Sequence, residues 1–153
     1  MKDKLEALLE QEKQIAFSEF NHETAWQLGC ALKHAAEELS VSVTIEVYAF
    51  EQVLFSYAML GTSIDNLDWM RRKRETVMRF GHSSFYIGQY NASKNRDFES
   101  QLHIDAQQYC AHGGSFPIRL KSGGLIGAVT VSGLPQQDDH NLVFTALKQQ
   151  IDS

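Results

Sequence analysis

Three short stretches of this 153-residue chain carry side chains able to do chemistry. His82-Ser83-Ser84 follows Gly81 and offers an imidazole and two hydroxyls from a helix end. His112-Gly113-Gly114 joins a second imidazole to a backbone free of side-chain bulk, where main-chain amides can approach a ligand closely. The same pair of glycines also suits a β-bulge or a tight turn between strands. Lys73 lies within Arg71-Arg72-Lys73-Arg74, the one basic concentration of the chain. Four consecutive helical residues spread over about 300° of the helix surface, so this run is not one stripe. Either it is a solvated collar with Asp68 and Glu75 as neighbours, or one or two of its cations point at an anion or carboxylate. Taken together, Lys73, His82, Ser83, Ser84, His112, Gly113 and Gly114 form the candidate ligand site.

Other chemistries find no complete set of groups. None of the six histidines is paired at the four-residue helical spacing of a zincin, and there is no Cys-x-x-Cys, so no metal centre is assigned. Val131-Ser132-Gly133 lacks the preceding glycine of a nucleophile elbow, and no phosphate-loop or dinucleotide fingerprint occurs. Asp138-Asp139 sits at a helix start, where the dipole favours carboxylates without any catalysis. Cys110 falls in a predicted strand and reads as a small buried hydrophobe. Phe80, Phe85, Tyr86 and Tyr90 cluster beside the basic helix. They serve either core and interface packing or an apolar pocket with a cationic rim for a planar acidic ligand such as a porphyrin.

These groups must be held by a small scaffold. The length suits one domain over residues 1–153, and 43% hydrophobic residues are enough to build a core. With 14 basic against 19 acidic residues the net charge is −5, so a nucleic-acid face is not implied. The charge is uneven: residues 1–40 hold four lysines against eight acids, whereas residues 65–100 hold seven basic residues against five acidic. Nothing at the start reads as a leader, and no apolar run is long enough to span a membrane, so a cytoplasmic protein is expected. Two cysteines make no disulfide framework.

Periodicity supplies the elements. Residues 4–17 and 22–39 have helical apolar spacing, the second with Asn21 as N-cap and Thr24 three residues on. Val43–Phe50 alternates and Val53–Leu60 follows across Glu51-Gln52, which predicts an antiparallel hairpin. Both faces of these strands carry apolar residues, which calls for cover on both sides. Asp65 opens a helix that Gly81 stops, residues 84–92 form a second, shorter one, and Phe98–Ala106 adds a turn or two. Three strands follow at Gln108–His112, Phe116–Leu120 and Leu125–Ser132, then a closing helix capped by Asp138. Two hairpins and no βαβ repeat make this an α+β fold around a five-stranded antiparallel sheet.

The last third also carries a resemblance. Gly113-Gly114-Ser115-Phe116-Pro117-Ile118, then Gly124-Leu125-Ile126-Gly127 through Val131-Ser132-Gly133-Leu134-Pro135, then Asp139-His140, resembles the GlcG/HbpS-like family, also called the haem-degrading or haem-binding domain. Leu67-Asp68-Trp69-Met70-Arg71-Arg72-Lys73-Arg74-Glu75, followed by His82-Ser83-Ser84, looks like its uncharacterised bacterial and yeast branch. The resemblance covers residues 20–153 and leaves the helix within residues 1–19 outside. It implies a profilin-like fold, five antiparallel strands with helices on both faces, assembling into homodimers or larger homo-oligomers. Haem enters only through this resemblance, and no axial ligand carries over.

Three functions follow as expectations. The first is a homo-oligomeric small-molecule-binding protein without a complete catalytic set. The second is a haem or tetrapyrrole binder with weak redox or degradation activity. The third is an adaptor whose Arg71–Arg74 face takes an acidic partner.

Overall fold

A computed structural model describes residues 1–153. The chain runs α1 (Lys2–Gln14), α2 (His22–Glu38), β1 (Thr44–Ala49), β2 (Gln52–Ala58), α3 (Ile64–Phe80), α4 (Ser84–Ser93), a 3-10 turn at Phe98–Ser100, β3 (Ser115–Arg119), β4 (Leu125–Ser132) and α5 (Gln136–Asp152). Local chemistry accounts for the helix ends. Asn21 accepts from the Thr24 amide at 2.9 Å while the Thr24 hydroxyl accepts from the Asn21 amide at 3.2 Å, closing a capping box at α2. At α3 the Ser63 amide donates to Asn66 Oδ1 at 2.9 Å, and Gly81 ends the helix with a left-handed φ of 76°. The start of α5 differs from expectation. Pro135 is its N-cap, and Asp138 lies in the first turn, where its charge still suits the helix dipole.

The sheet has four antiparallel strands in the order β2-β1-β4-β3, not five. The expected strand at Gln108–His112 does not form. Its amides find other partners: Gln108 and Tyr109 donate to the Asp105 carbonyl, and the Cys110 N–H donates to the Arg72 carbonyl of α3 at 3.3 Å and to the Thr76 hydroxyl at 3.1 Å. The far edge of β3 is met instead by the segment after α1. There the Phe17 N–H donates to the Arg119 carbonyl at 2.9 Å, and the Lys121 N–H donates to the Phe17 carbonyl at 2.8 Å. The β1–β2 turn also falls one residue early, on Phe50-Glu51. Both residues take positive φ, 55° and 64°, as a two-residue turn with the twist of the strands demands.

The two faces of the sheet are chemically different. Val43, Ile45, Val47, Ala49, Phe55, Phe116, Ile118, Val129 and Val131 are buried in one apolar cluster with residues of α2 and α5. Phe55 lies directly under Gly29, where any side chain on α2 would strike its ring. The other face, beneath α3, presents buried Thr44, Glu46, Ser115, Thr130 and Ser132. The expectation of a sheet apolar on both faces is therefore corrected: the face under α3 is largely polar, and α3 meets it with buried Lys73 and Thr76 as well as Met70 and Val77. Helices do cover both faces. No helix is long and apolar enough to cross a membrane.

Candidate functional site

The polar face begins with an ion pair. Lys73 Nζ donates to Asp139 Oδ2 at 3.0 Å and to the Val131 carbonyl at 3.2 Å, joining α3 to α5 over β4. Asp139 Oδ1 takes the Leu134 amide at 3.0 Å and Oδ2 the Gly133 amide at 3.4 Å. Burial pushes the Asp139 carboxyl above its ordinary value, and the Lys73 ammonium and these amides pull it part of the way back. Gly114 makes room for the lysine, since a Cβ there would lie 2.8 Å from Lys73 Nζ.

Above the pair opens a cavity of about 390 Å³ lined by Asp65, Asn66, Trp69, Lys73, His112, Ser132 to Gln136 and Asp139. Most of this wall is polar. His112 packs its imidazole on Trp69, with ring centroids 5.0 Å apart and planes tilted by 35°. Trp69 is in turn held by its indole N–H on Asp65 Oδ2 at 3.2 Å and by the Arg72 guanidinium 4.3 Å over its ring. Gly113 donates its amide to Gln136 Oε1 at 2.9 Å, which ties the His112 loop to the start of α5. A smaller cavity of about 210 Å³, lined by Arg96, Asp97, Glu99 and Gln136 among others, lies on the other side of His112.

Four of the seven residues singled out in the sequence thus come together: Lys73 and His112 in the cavity wall, with Gly113 and Gly114 supporting it. His82, Ser83 and Ser84 are elsewhere. His82 Nδ1 pairs with Glu12 Oε1 at 3.0 Å, and the Ser83 amide donates to Glu12 Oε2 at 3.3 Å, so this corner holds α1. The Ser83 hydroxyl caps α4 by accepting from the Tyr86 amide at 3.1 Å. The buried Ser84 hydroxyl accepts from the Ser115 amide at 3.1 Å, satisfying the first donor of β3.

The basic run is committed within the chain. Arg71 and Arg72 bond Asp68 at 2.9 and 3.0 Å, which holds that carboxyl below its usual range. Arg74 reaches Glu46 at 2.8 Å and Glu75 at 2.9 Å. Burial raises Glu46, and Arg74 counters it. Each cation of the run has an acidic partner within the chain, although Arg71 keeps 42% of its side chain exposed.

Sequence reasoning missed Asp65, Asn66, Gln136 and Asp139 as wall residues. Of these, Asp139 stands next to His140 in a resemblance motif; the further wall residues Trp69 and Ser132 to Pro135 also stand in such motifs and were likewise not singled out. It also missed a groove of about 750 Å³ between α2 and α5, whose walls include Ala31, Ala35, Leu134 and Ala146.

Comparison with known proteins agrees with this architecture. A UPF0303 protein of Psychromonas ingrahamii is 62% identical over 149 residues, covering 97% of this chain and 94% of that one. One from Streptomyces coelicolor is 42% identical over 144 residues, covering 94% and 91%. The crystal structure of the yeast protein Ybr137w superposes with a TM-score of 0.89 at 31% identity, covering 97% of this chain and 88% of that one. HbpS, at 18% identity and TM-score 0.68 over 85% of this chain and 88% of its own, shares the fold. So does a PduOC:heme complex, at 16% identity and TM-score 0.72 over 84% and 92%. Residues 20–148 match the family described as haem degrading protein HbpS-like. The chain belongs to the HbpS-like family, within a branch shared by bacterial UPF0303 proteins and yeast Ybr137w.

Proposed function

We propose that this protein is a cytoplasmic homo-oligomer, each chain one domain, that binds a small polar molecule in the cavity over Lys73 and His112. The observation that carries the reading is a buried lysine, 3% exposed, in the wall of an otherwise polar cavity. Lys73, His112, Gly113 and Gly114 serve the ligand. His82, Ser83 and Ser84 serve the docking of α1 and the start of β3. Two unpaired cysteines, Cys30 and Cys110, suit a reducing compartment.

Self-association is supported by β2. This edge strand, Gln52–Ala58, has no charged residue, and Val53, Tyr57 and nearby Trp26 are 48%, 42% and 57% exposed. Edge strands of monomers are ordinarily blunted by charge or proline.

The test is ligand-observed NMR with a defined panel of organic acids, amines, sugars and nucleotides on the wild type, His112→Ala and His82→Ala. Binding that weakens in His112→Ala and persists in His82→Ala is expected. The reverse pattern would move the site to the α1 corner.

One observation favours haem as a second reading. Glu12, as a carboxylate, can only accept, so His82 Nδ1 donates to it, and in the neutral ring Nε2 is then the acceptor nitrogen. Metal-ligating histidines are commonly oriented in this way. The Tyr86 ring lies 4.9 Å from the imidazole, and Tyr90 stacks beyond it at 6.0 Å. Stoichiometric haemin binding with a Soret band lost in His82→Ala would establish this reading, and an unchanged spectrum in that variant would end it.

A further inference from the structure

We propose that the ligand of the Lys73–His112 cavity is a small monocarboxylate, an inference that rests on that cavity being the binding site. Hydrogen-bond accounting carries it. Asp139 already has donors on both carboxylate oxygens, whereas Asp65 has one on Oδ2 and keeps Oδ1 open. Asp139 is held by Lys73 at 3.0 Å and by the Leu134 amide at 3.0 Å, and Asp65 takes the Trp69 indole N–H at 3.2 Å. The donors, by contrast, have capacity left. An ammonium has three N–H groups, and Lys73 spends two, on Asp139 and the Val131 carbonyl. The His112 imidazole is exposed and touches Trp69 by its ring alone. Helix α5 opens on the cavity at Pro135 and Gln136 with no side chain capping it. Free groups that are mostly donors select a ligand made of acceptors.

Formal charge narrows the class. Lys73 contributes +1 while Asp65 and Asp139 contribute −2, so the wall totals −1 with His112 neutral. That net charge opposes any anion, about twice as strongly for a dianion such as a phosphate monoester as for a monocarboxylate, so the ligand must be held by local donors. A single carboxylate brings two acceptor oxygens with one charge, and the spare Lys73 proton gives it a charge-assisted bond.

The test compares acids with their own amides: acetate, lactate, benzoate and nicotinate against acetamide, lactamide, benzamide and nicotinamide, with phenyl phosphate as the dianion. The readout is the Trp69 indole N–H resonance, and Trp26 on α2 serves as the control for non-specific binding. At least one acid should shift Trp69 and bind about tenfold more tightly than its amide, the ratio one charged hydrogen bond supports. His112→Ala, at an exposed position, should weaken that acid by several-fold. Lys73→Met should abolish the preference for acid over amide, and Lys73→Met/Asp139→Asn repeats this test without a stranded buried carboxylate. Amides or phenyl phosphate binding as tightly as the acids, with Trp69 still responding, would overturn the carboxylate class and leave the cavity as a binding site. Silence of Trp69 toward every probe would overturn both.

Discussion

Lys73 Nζ and Asp139 Oδ2 lie 3.0 Å apart, both almost fully buried, and join the middle of α3 to the first turn of α5. The pair stands between the polar face of the sheet and the cavity, so it holds the scaffold and offers a donor to a ligand. Removing one member strands the other charge in a poorly solvated place. Lys73→Met should therefore cost about 3–5 kcal/mol in urea unfolding. Lys73→Met/Asp139→Leu should recover much of that loss, although the Gly133 and Leu134 amides then lack their acceptor. A double variant as unstable as the single one would mean that the ion pair is not the source of the cost.

His140 gives the fold a pH dependence. It is 1% exposed among Phe85 and Phe116, its Nε2 meets Gln11 Oε1 at 2.7 Å, and its Nδ1 has no partner. Burial depresses its pKa from 6.5 to about 4. Between those values the unfolded chain binds the proton more readily than the folded one, so stability falls as pH drops from 6.5 toward 4 and levels off below. The shift corresponds to about 3 kcal/mol as an upper bound. Asp139 and Glu46, whose carboxyls are raised by burial, act in the opposite sense toward the acid end of that window. Urea unfolding at pH 7, 5.5 and 4.5 should show the decline, and His140→Phe should flatten it.

Glu12 and His82 should differ although they touch. Glu12 is buried and serves three groups: His82, the Ser83 amide and Arg119, whose Nη1 lies at 3.5 Å. Glu12→Ala leaves a buried amide without its acceptor and should cost about 1–3 kcal/mol. His82 is 41% exposed in its side chain, so the pair is screened by solvent, and His82→Ala should cost no more than about 1 kcal/mol. Urea midpoints of the two variants decide this. Equal losses would show that the pairing itself, rather than the Ser83 amide, anchors α1.

Gly114 and Gly123 separate space from backbone conformation. Their φ values are 138° and 133°, both outside the range that side chains favour. A Cβ at Gly123 meets nothing within 4 Å, whereas at Gly114 it would press on the Val131 carbonyl, Lys73 Nζ and Asp139 Cβ. Gly123→Ala should lose about 1 kcal/mol, and Gly114→Ala about 3 kcal/mol or more with a disturbed cavity. Thermal midpoints, together with the Trp69 resonance, report on both.

How much of this could be read from residue order follows from the range of the forces involved. Local rules placed α2 from Asn21 and Thr24, the stop of α3 at Gly81, and the alternation of β1, because caps, left-handed glycines and side-chain period act within a few residues. The hairpins and the α+β class came from the same short-range signals. Gln108–His112 looked like a strand, but a strand needs a partner edge, and the Arg72 carbonyl and Thr76 hydroxyl captured its Cys110 amide from 34 or more residues away. The site divided for the same reason. Lys73 and His112 meet only because α3 packs over β4, and Asp139, 66 residues from Lys73, completes the pair from a helix start that reads as ordinary capping. His82 has the same chemistry in the sequence as His112, yet α1 folds back and Glu12 occupies it. Local preference is written in neighbouring residues, whereas the partner of a charge is settled by what the packed sheet and helices bring within about 3 Å.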